Sequence, residues 1–209
     1  MFSMLSESQA QYLSQSVVKQ RLKRGERIVE QGKKSDALYI ILAGRARVVV
    51  TNSQGREVIL ASLGAGDCIG EMSLIDNKAH SASVEAEVQT DVLVLGRADF
   101  SAALAESHTM ALSIMRGLVQ RLRKADQQIE SLALLDVYGR VARTLLEMSE
   151  VINEQRIIRN KVSRQDMAKI VGASREMVSR VMKDLEERGV IETQENGSVI
   201  LKERLQPAE

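Results

Sequence analysis

The sequence predicts an α+β fold in three parts: an N-terminal antiparallel β sandwich or barrel, a long dimerisation helix and a C-terminal winged helix-turn-helix. Three observations carry that prediction. Short apolar runs between glycine turns fill the first half, an apolar 3-4 repeat follows, and a capped two-helix pattern with a hairpin signal comes last. The 209 residues leave room for one large domain or two small ones. With 44% hydrophobic and 27% charged residues, composition fits a soluble globular protein. No apolar run approaches the roughly 20 residues a membrane span needs, so no membrane partner is expected. The opening MFSMLSESQAQYL lacks a basic segment followed by an apolar core, which predicts a cytoplasmic protein without a secretory signal.

The glycines Gly25, Gly32, Gly44, Gly55, Gly64, Gly66 and Gly70 separate β-branched or apolar runs at 38–42, 48–51 and 58–61. Further runs follow at 81–86 and 92–95, and no proline precedes Pro207 to forbid pairing on either strand edge. From Ala111 the period changes. Ala111, Met115, Leu118, Leu122, Ala125, Ile129 and Leu132 follow at steps of four and three, a heptad seam that calls for a partner helix. The alternative is a long helix packed on its own sandwich. Residues 136–149 are again helical in pattern, with Val137, Val141, Leu145 and Met148 on one face. The seam's register fails near Asp136, where the domain boundary is placed.

In VSRQDMAKIVGASREMVSRVMKDLEERG, Ser163 is an N-cap with Asp166 three residues on, a capping-box signature. Ala168, Gly172 and Val178 stand at helix-turn-helix spacing, for steric reasons: a small residue where helices cross, a left-handed turn, and a residue packing the second helix on the first. Met167, Val171, Val181 and Leu185 supply the shared core. Ser174 caps the second helix, which puts Arg175, Glu176, Ser179 and Arg180 on its outer N-terminal face. Arginine can chelate guanine O6 and N7 and glutamate can accept from cytosine N4, so these residues suit a G·C-containing half-site of double-stranded DNA. Gly189 is a natural helix C-cap, and Asn196-Gly197 is a hairpin signal within the wing VIETQENGSVILK. Net charge is only +1, yet the stretch 159–183 holds seven basic residues, among them Arg164 and Lys183, against two acidic ones. That excess is a candidate polyanion footprint.

This order of parts resembles the Crp/Fnr family of bacterial transcription regulators over nearly the whole chain. The motifs that carry the resemblance are IGEMSLIDNKAHSASV at 69–84, LALLDVYGRVARTLL at 132–146 and VGASREMVSRVMKDLEERGVI at 171–191. It implies a β jelly-roll sensor resembling a cyclic nucleotide-binding domain at 1–109, a coiled-coil dimerisation helix at 110–136 and a winged helix-turn-helix at 137–209. It further implies that Arg175, Glu176 and Arg180 contact bases of a palindrome with TGTGA-like half-sites, Ser179 adding a base or phosphate contact. RNA polymerase is the implied protein partner, through the loop at 151–156. A hinge at 136–138 would carry the effector's signal.

In the family's nucleotide-binding members a Gly-Glu pair and an Arg-Ser or Arg-Ala pair form a phosphate cassette. Here Gly70 and Glu71 are present, with Met72 and Ser73 after them, but the second pair is His80-Ser81. A histidine of ordinary pKa is mostly neutral at pH 7, whereas arginine is a permanent bidentate cation. The family's adenine-contacting Thr-Ser pair is Ala125-Asp126 here. A carboxylate suits the donor edge of guanine, and Arg123 three residues earlier makes an Arg-x-x-Asp arrangement. The expected effector is therefore a cyclic nucleotide, with cyclic di-GMP ranked above cyclic GMP and cyclic AMP also a candidate. Alternatively, Arg121 and Asp126 are the g and e positions of an interhelical salt bridge, and His80 is a surface residue without a ligand.

Cys68, the single cysteine, excludes a disulfide framework, a cysteine-rich zinc site and a cysteine-ligated iron–sulfur cluster. It reads as a small buried apolar residue. His80 and His108 stand in no haem motif. An enzyme, such as a nucleotide hydrolase in the same pocket, is the remaining class, but no HExxH, Walker loop, nucleophile elbow or metal-spaced carboxylate cluster is present. A constitutive DNA-binding protein with an empty sensor is the further alternative.

Overall fold

A computed structural model describes residues 17–159 and 161–202; the opening segment MFSMLSESQAQYL and Pro207 lie outside the described residues. The chain divides into two compact units, the first reaching Arg123 and the second starting at Lys124.

In the first unit eight strands form two four-stranded antiparallel sheets. One has the order β1 (Val17–Leu22), β8 (Thr90–Gly96), β3 (Ala37–Ala43), β6 (Cys68–Ile69). The other runs β2 (Arg27–Val29), β7 (Ser83–Ala86), β4 (Ala46–Thr51), β5 (Glu57–Leu63). The predicted runs at 38–42, 48–51, 58–61, 81–86 and 92–95 fall on β3, β4, β5, β7 and β8. The strands β1, β2 and β6 and the helices α1 (Glu71–Asp76) and α2 (Arg97–Glu106) carry weaker patterns and were not anticipated.

Alternation along β3 and β8 explains how this unit packs. Ile41 and Val92 face a core between the sheets with Leu22, Leu63, Ile69 and Val84. Leu38, Ile40 and Leu95 face the other way, onto Phe100 and Ala103 of α2 and onto Met110 and Ile114 of α3 (His108–Leu134). Both strands are thus buried on both faces, which is why LYIIL and VLVL read as continuous apolar runs.

The long helix α3 therefore carries two apolar stripes. Met110, Ile114 and Leu118 pack on the sandwich, so the seam residue Leu118 is used within the chain. Met115, Leu122, Ile129 and Leu132 are exposed, Leu122 at 62% and Ile129 at 64%. The alternative of packing on its own sandwich holds for one face of the helix, and the other apolar face is left exposed.

In the second unit, α3 ends at Leu134 and Asp136 caps α4 (Val137–Met148), accepting from Gly139 N–H at 2.8 Å. Val141 and Leu145 of α4 are fully buried; Met148, predicted on the same face, is exposed. The strands β9 (Glu150–Ile152), β10 (Gln155–Ile158), β11 (Ile191–Thr193) and β12 (Val199–Leu201) form one antiparallel sheet, ordered β11-β12-β10-β9. They pack with α5 (Arg164–Val171) and α6 (Arg175–Glu187) around Met167, Val178, Met182, Leu185 and Ile191.

Two turns show detail that the sequence left open. The segment 151–156 is the tight β9–β10 hairpin, with Asn153 and Glu154 both at positive φ, the signature of a type I′ turn. The wing does turn at Asn196-Gly197, but not as a two-residue hairpin. Gly197 N–H donates to the Gln194 carbonyl at 2.8 Å and Gln194 N–H to the Ser198 carbonyl at 2.9 Å, closing a longer loop. Asn196 accepts from Ser198 N–H at 2.9 Å instead of adopting a positive φ.

Candidate nucleic-acid interface and effector cavity

The two helices of the helix-turn-helix start where the sequence places them. Ser163 Oγ accepts from Asp166 N–H at 3.3 Å, and Ser174 Oγ accepts from Met177 N–H at 3.1 Å. Each bond satisfies one of the backbone donors that a helix start leaves open. Gly172 takes the left-handed turn between them (φ 66, ψ 38), a conformation that costs a residue with a Cβ. Met167, Ala168 and Val171 of α5 and Val178, Val181 and Leu185 of α6 are buried against one another, as predicted. Gly189 follows α6 at φ 67.

With Val178, Val181, Met182 and Leu185 turned inward, the outer face of α6 carries Arg175, Glu176, Ser179, Arg180 and Lys183, all exposed. The Glu176 carboxyl is held below its ordinary pKa, first by its own backbone N–H and then by the Ser174 hydroxyl and the arginines 175 and 180. At neutral pH it is a carboxylate, an acceptor only. Lys183 pairs with Glu187 at 3.4 Å along the helix. Arg164 lies at the start of α5 and reaches Glu186 at 3.4 Å, which also accepts from the Thr193 hydroxyl at 2.5 Å. A cleft of about 350 Å³ opens beside these groups, between the α5 start, the wing and the α6 start; Lys161, Arg164 and Arg175 are its cations. Lys161 and the wing residue Thr193 belong to this cleft through tertiary folding, which the helix-turn-helix spacing does not reveal.

The second candidate site lies in the first unit. Gly70 precedes α1 at φ 92, and a Cβ there would stand 2.9 Å from the Ala37 carbonyl, so only glycine fits. Glu71, at the start of α1, is 3% exposed. Arg121 of α3 donates from Nη1 to Glu71 Oε1 at 2.5 Å and from Nη2 to the Cys68 carbonyl. The other oxygen, Glu71 Oε2, is buried and has no hydrogen-bond partner among the described residues. Burial pushes the Glu71 carboxyl above its ordinary pKa despite the opposing charge of Arg121. Cys68 is buried, as expected, and desolvation with the neighbouring Glu71 pushes its thiol up to about 12.

These groups border a cavity of about 200 Å³ that also includes Met72, Ser73, Asp76, Lys78, His80 and Ser81. His80 is not on the surface: it is 8% exposed, and its Nε2 and Ser35 Oγ are hydrogen-bonded at 2.8 Å. Burial lowers its pKa, so the ring is neutral at pH 7. Within the chain, Arg121 pairs with Glu71. Arg123 and Asp126 are exposed on α3 and do not line this cavity. The structure thus gathers Gly70, Glu71, Met72, Ser73, His80, Ser81 and Arg121 around one cavity. Asp76 and Lys78 line it too and were not singled out from the sequence, since nothing in their spacing marks them.

Comparison with known proteins assigns a family to each unit. The chain matches the cyclic nucleotide-binding domain family over residues 19–107 and the Crp-like helix-turn-helix domain family over residues 139–206. It is 34% identical over 171 residues to the cAMP-activated global transcriptional regulator Vfr of Pseudomonas aeruginosa, covering 78% of this chain and 80% of Vfr. It is 35% identical over 168 residues to the cyclic AMP receptor protein of Thermus thermophilus, covering 80% of this chain and 76% of that protein. Among solved structures, the c-di-GMP responsive global regulator CLP of Xanthomonas campestris superposes with a TM-score of 0.79 at 25% identity, covering 94% of this chain and 99% of CLP. Among the described residues no helix is long and apolar enough to cross a membrane. With a cyclic nucleotide-binding domain joined to a Crp-like helix-turn-helix, and with transcription regulators rather than enzymes as relatives, the chain belongs to the Crp/Fnr family of DNA-binding transcription regulators.

Proposed function

We propose that this regulator is a cytoplasmic homodimer that reads a palindrome with TGTGA-like half-sites and responds to a cyclic nucleotide. The assignment of parts is a sensor at 1–109, a dimerisation helix at 110–136 and a DNA-binding unit at 137–209. What carries the DNA reading is the outer face of α6, where Arg175, Glu176, Ser179 and Arg180 stand exposed behind the Ser174 cap. The arginines supply donors for guanine and Glu176 an acceptor for cytosine N4. Arg164 and Lys183 supply charge toward the phosphates, which orient the protein on the duplex without selecting sequence. Two copies joined through the exposed α3 stripe present two such faces, so the site is an inverted repeat with centres about one helical turn apart. The β9–β10 hairpin is the surface offered to RNA polymerase.

For the effector, the supporting observation is Glu71 Oε2, buried and unpartnered beside the cavity. An unmet buried acceptor is costly, and a ribose hydroxyl donating to it would remove the penalty. The cavity, at about 200 Å³, is below the roughly 300 to 1,000 Å³ usual for small-molecule sites, which favours a single nucleotide over a dinucleotide. Cyclic AMP is the first choice, because both relatives named above at 34% and 35% identity are cyclic AMP regulators. Cyclic di-GMP is the second, favoured by the likeness to CLP. Ligand tightens DNA binding only if it binds the DNA-competent arrangement better than the other.

The test is fluorescence anisotropy of a labelled TGTGA-type palindrome at fixed salt, with protein alone and with cyclic AMP, cyclic GMP or cyclic di-GMP. A several-fold tightening by cyclic AMP alone is the expected result. Tight binding indifferent to all three nucleotides would replace this reading with that of a constitutive regulator. No preference for the palindrome over scrambled DNA would overturn the assignment of the α6 face.

A further inference from the structure

Three basic side chains line the cavity of the first unit: Arg121, His80 and Lys78. Two of them are already engaged. Arg121 is held by Glu71 Oε1 at 2.5 Å and by the Cys68 carbonyl. His80 is fixed at three points: its ring on Ser35, its N–H donating to the Lys33 carbonyl at 2.9 Å, and its carbonyl accepting from Gly32 N–H at 2.8 Å. Its buried ring carries no charge at pH 7. An anion entering the cavity therefore meets no cation from His80, and at Arg121 it meets a charge already neutralised by the buried Glu71 carboxylate.

Lys78 is different. It is exposed, and among the described residues its ammonium makes no ion pair. Its backbone, however, is pinned. The Lys78 N–H donates to Asp76 Oδ1 at 3.0 Å, and its carbonyl accepts from the hydroxyl of the buried Ser73. Asp76, the acidic group that shares the lining with Glu71, is thereby turned onto the Lys78 amide. The root of the Lys78 side chain is fixed beside the cavity while its flexible stem leaves the ammonium able to reach an anion.

We propose that Lys78 is the residue that recognises the phosphate of the cavity's ligand, doing so from the α1–β7 loop in place of a cation at position 80. The proposal rests on the reading of this cavity as a cyclic nucleotide site and names its phosphate-binding group. Lys78 and Glu71 then divide the recognition between them. The ammonium takes the phosphodiester as a point charge, without the fixed fork of an arginine, and Glu71 Oε2 takes a ribose hydroxyl.

Isothermal titration of the full chain with cyclic AMP and with cyclic di-GMP tests this, using Lys78→Ala, Lys78→Arg and Lys78→Ala combined with His80→Arg. Lys78→Ala should weaken binding about tenfold or more, the scale of a lost charge-assisted bond, with an unchanged melting temperature. Lys78→Arg should stay within about threefold of the parent, since it restores the charge. Added salt should weaken the parent more than Lys78→Ala. In the double variant an arginine at position 80 should recover part of the lost affinity. If the parent binds and Lys78→Ala binds equally well, Lys78 is not the phosphate cation, although the nucleotide reading stands. If the parent binds neither nucleotide, the effector reading falls and this proposal with it.

Discussion

The sharpest test of the dimer lies in Ile129→Ala. Ile129 is 64% exposed on α3, outside every buried core cluster of the described residues, so its loss costs the isolated chain little. Alanine is also the better helix former. Fully burying an isoleucine stabilises by roughly 1.5 to 3 kcal/mol. With about two thirds of the side chain still to be buried, each copy stands to gain about 1 to 2 kcal/mol. A two-fold interface uses the residue twice, so the variant forfeits about 2 to 4 kcal/mol, a rise in the dimer dissociation constant of roughly 30- to 800-fold. The Cβ that alanine keeps puts the expected value in the lower half of that range. Sedimentation velocity across a concentration series measures it, with the melting temperature as control. A dissociation constant within about threefold of the parent, with Leu122→Ala equally silent, would refute the reasoning: the stripe would not be the interface, and the palindromic site argued from it would lose its basis.

Three further outcomes are expected. Arg180→Ala should cost roughly 1 to 3 kcal/mol of specific binding and relax preference at one base pair per half-site; equal weakening on every sequence would make it a phosphate contact. Because burial depresses the His80 pKa below its ordinary 6.5, the neutral ring contributes stability that is present above pH 6.5 and lost as pH falls through the lowered value. Melting of the parent should therefore decline from pH 7 to pH 5 more steeply than melting of His80→Gln, and parallel curves would count against this. Arg140 donates from Nε to the Val171 carbonyl and from Nη1 to the Leu135 carbonyl, both at 3.0 Å, tying the ends of α5 and α3 together. Arg140→Ala should lower stability by about 2 kcal/mol, the scale of hydrogen bonds to a charged group, and an unchanged denaturation midpoint would show that water replaces both bonds.

What was legible in the sequence were the features whose cause is local. Ser163, Gly172 and Ser174 act on backbone groups within a few residues, so their caps and turn could be placed from spacing alone. The runs on β3 and β8 were legible because burial on both faces leaves an uninterrupted apolar signature. Features with divided causes were not. The seam residue Leu118 packs on the sandwich with Met110 and Ile114, which the heptad count left out, while Met115 and Leu122 do not. Turn lengths were hidden in a related way. Asn196-Gly197 has the composition of a two-residue turn, yet hydrogen bonds from Gln194 to Ser198 lengthen it. Asn153-Glu154, lacking glycine, forms the tight turn instead.

The effector cavity shows why a motif can locate a site without describing its chemistry. Gly70 and Glu71 were found in the sequence, and the cavity is where they are. From the sequence, His80 reads as a phosphate ligand or a surface residue, and Arg121 as an effector or interhelical contact. Each assignment depends on a partner far away in the chain: Ser35, 45 residues from His80, and Glu71, 50 residues from Arg121. Those pairings leave His80 uncharged and put Arg121 across the carboxylate that the motif supplies. An anionic ligand must then either displace Arg121 from Glu71 or draw on the charge of Lys78. Displacement would leave the buried Glu71 carboxylate without its cation, which is costly because that group has little water to replace it. Binding through Lys78 leaves the pair intact and Glu71 Oε2 still open to a hydroxyl, which makes it the less costly route into the same cavity.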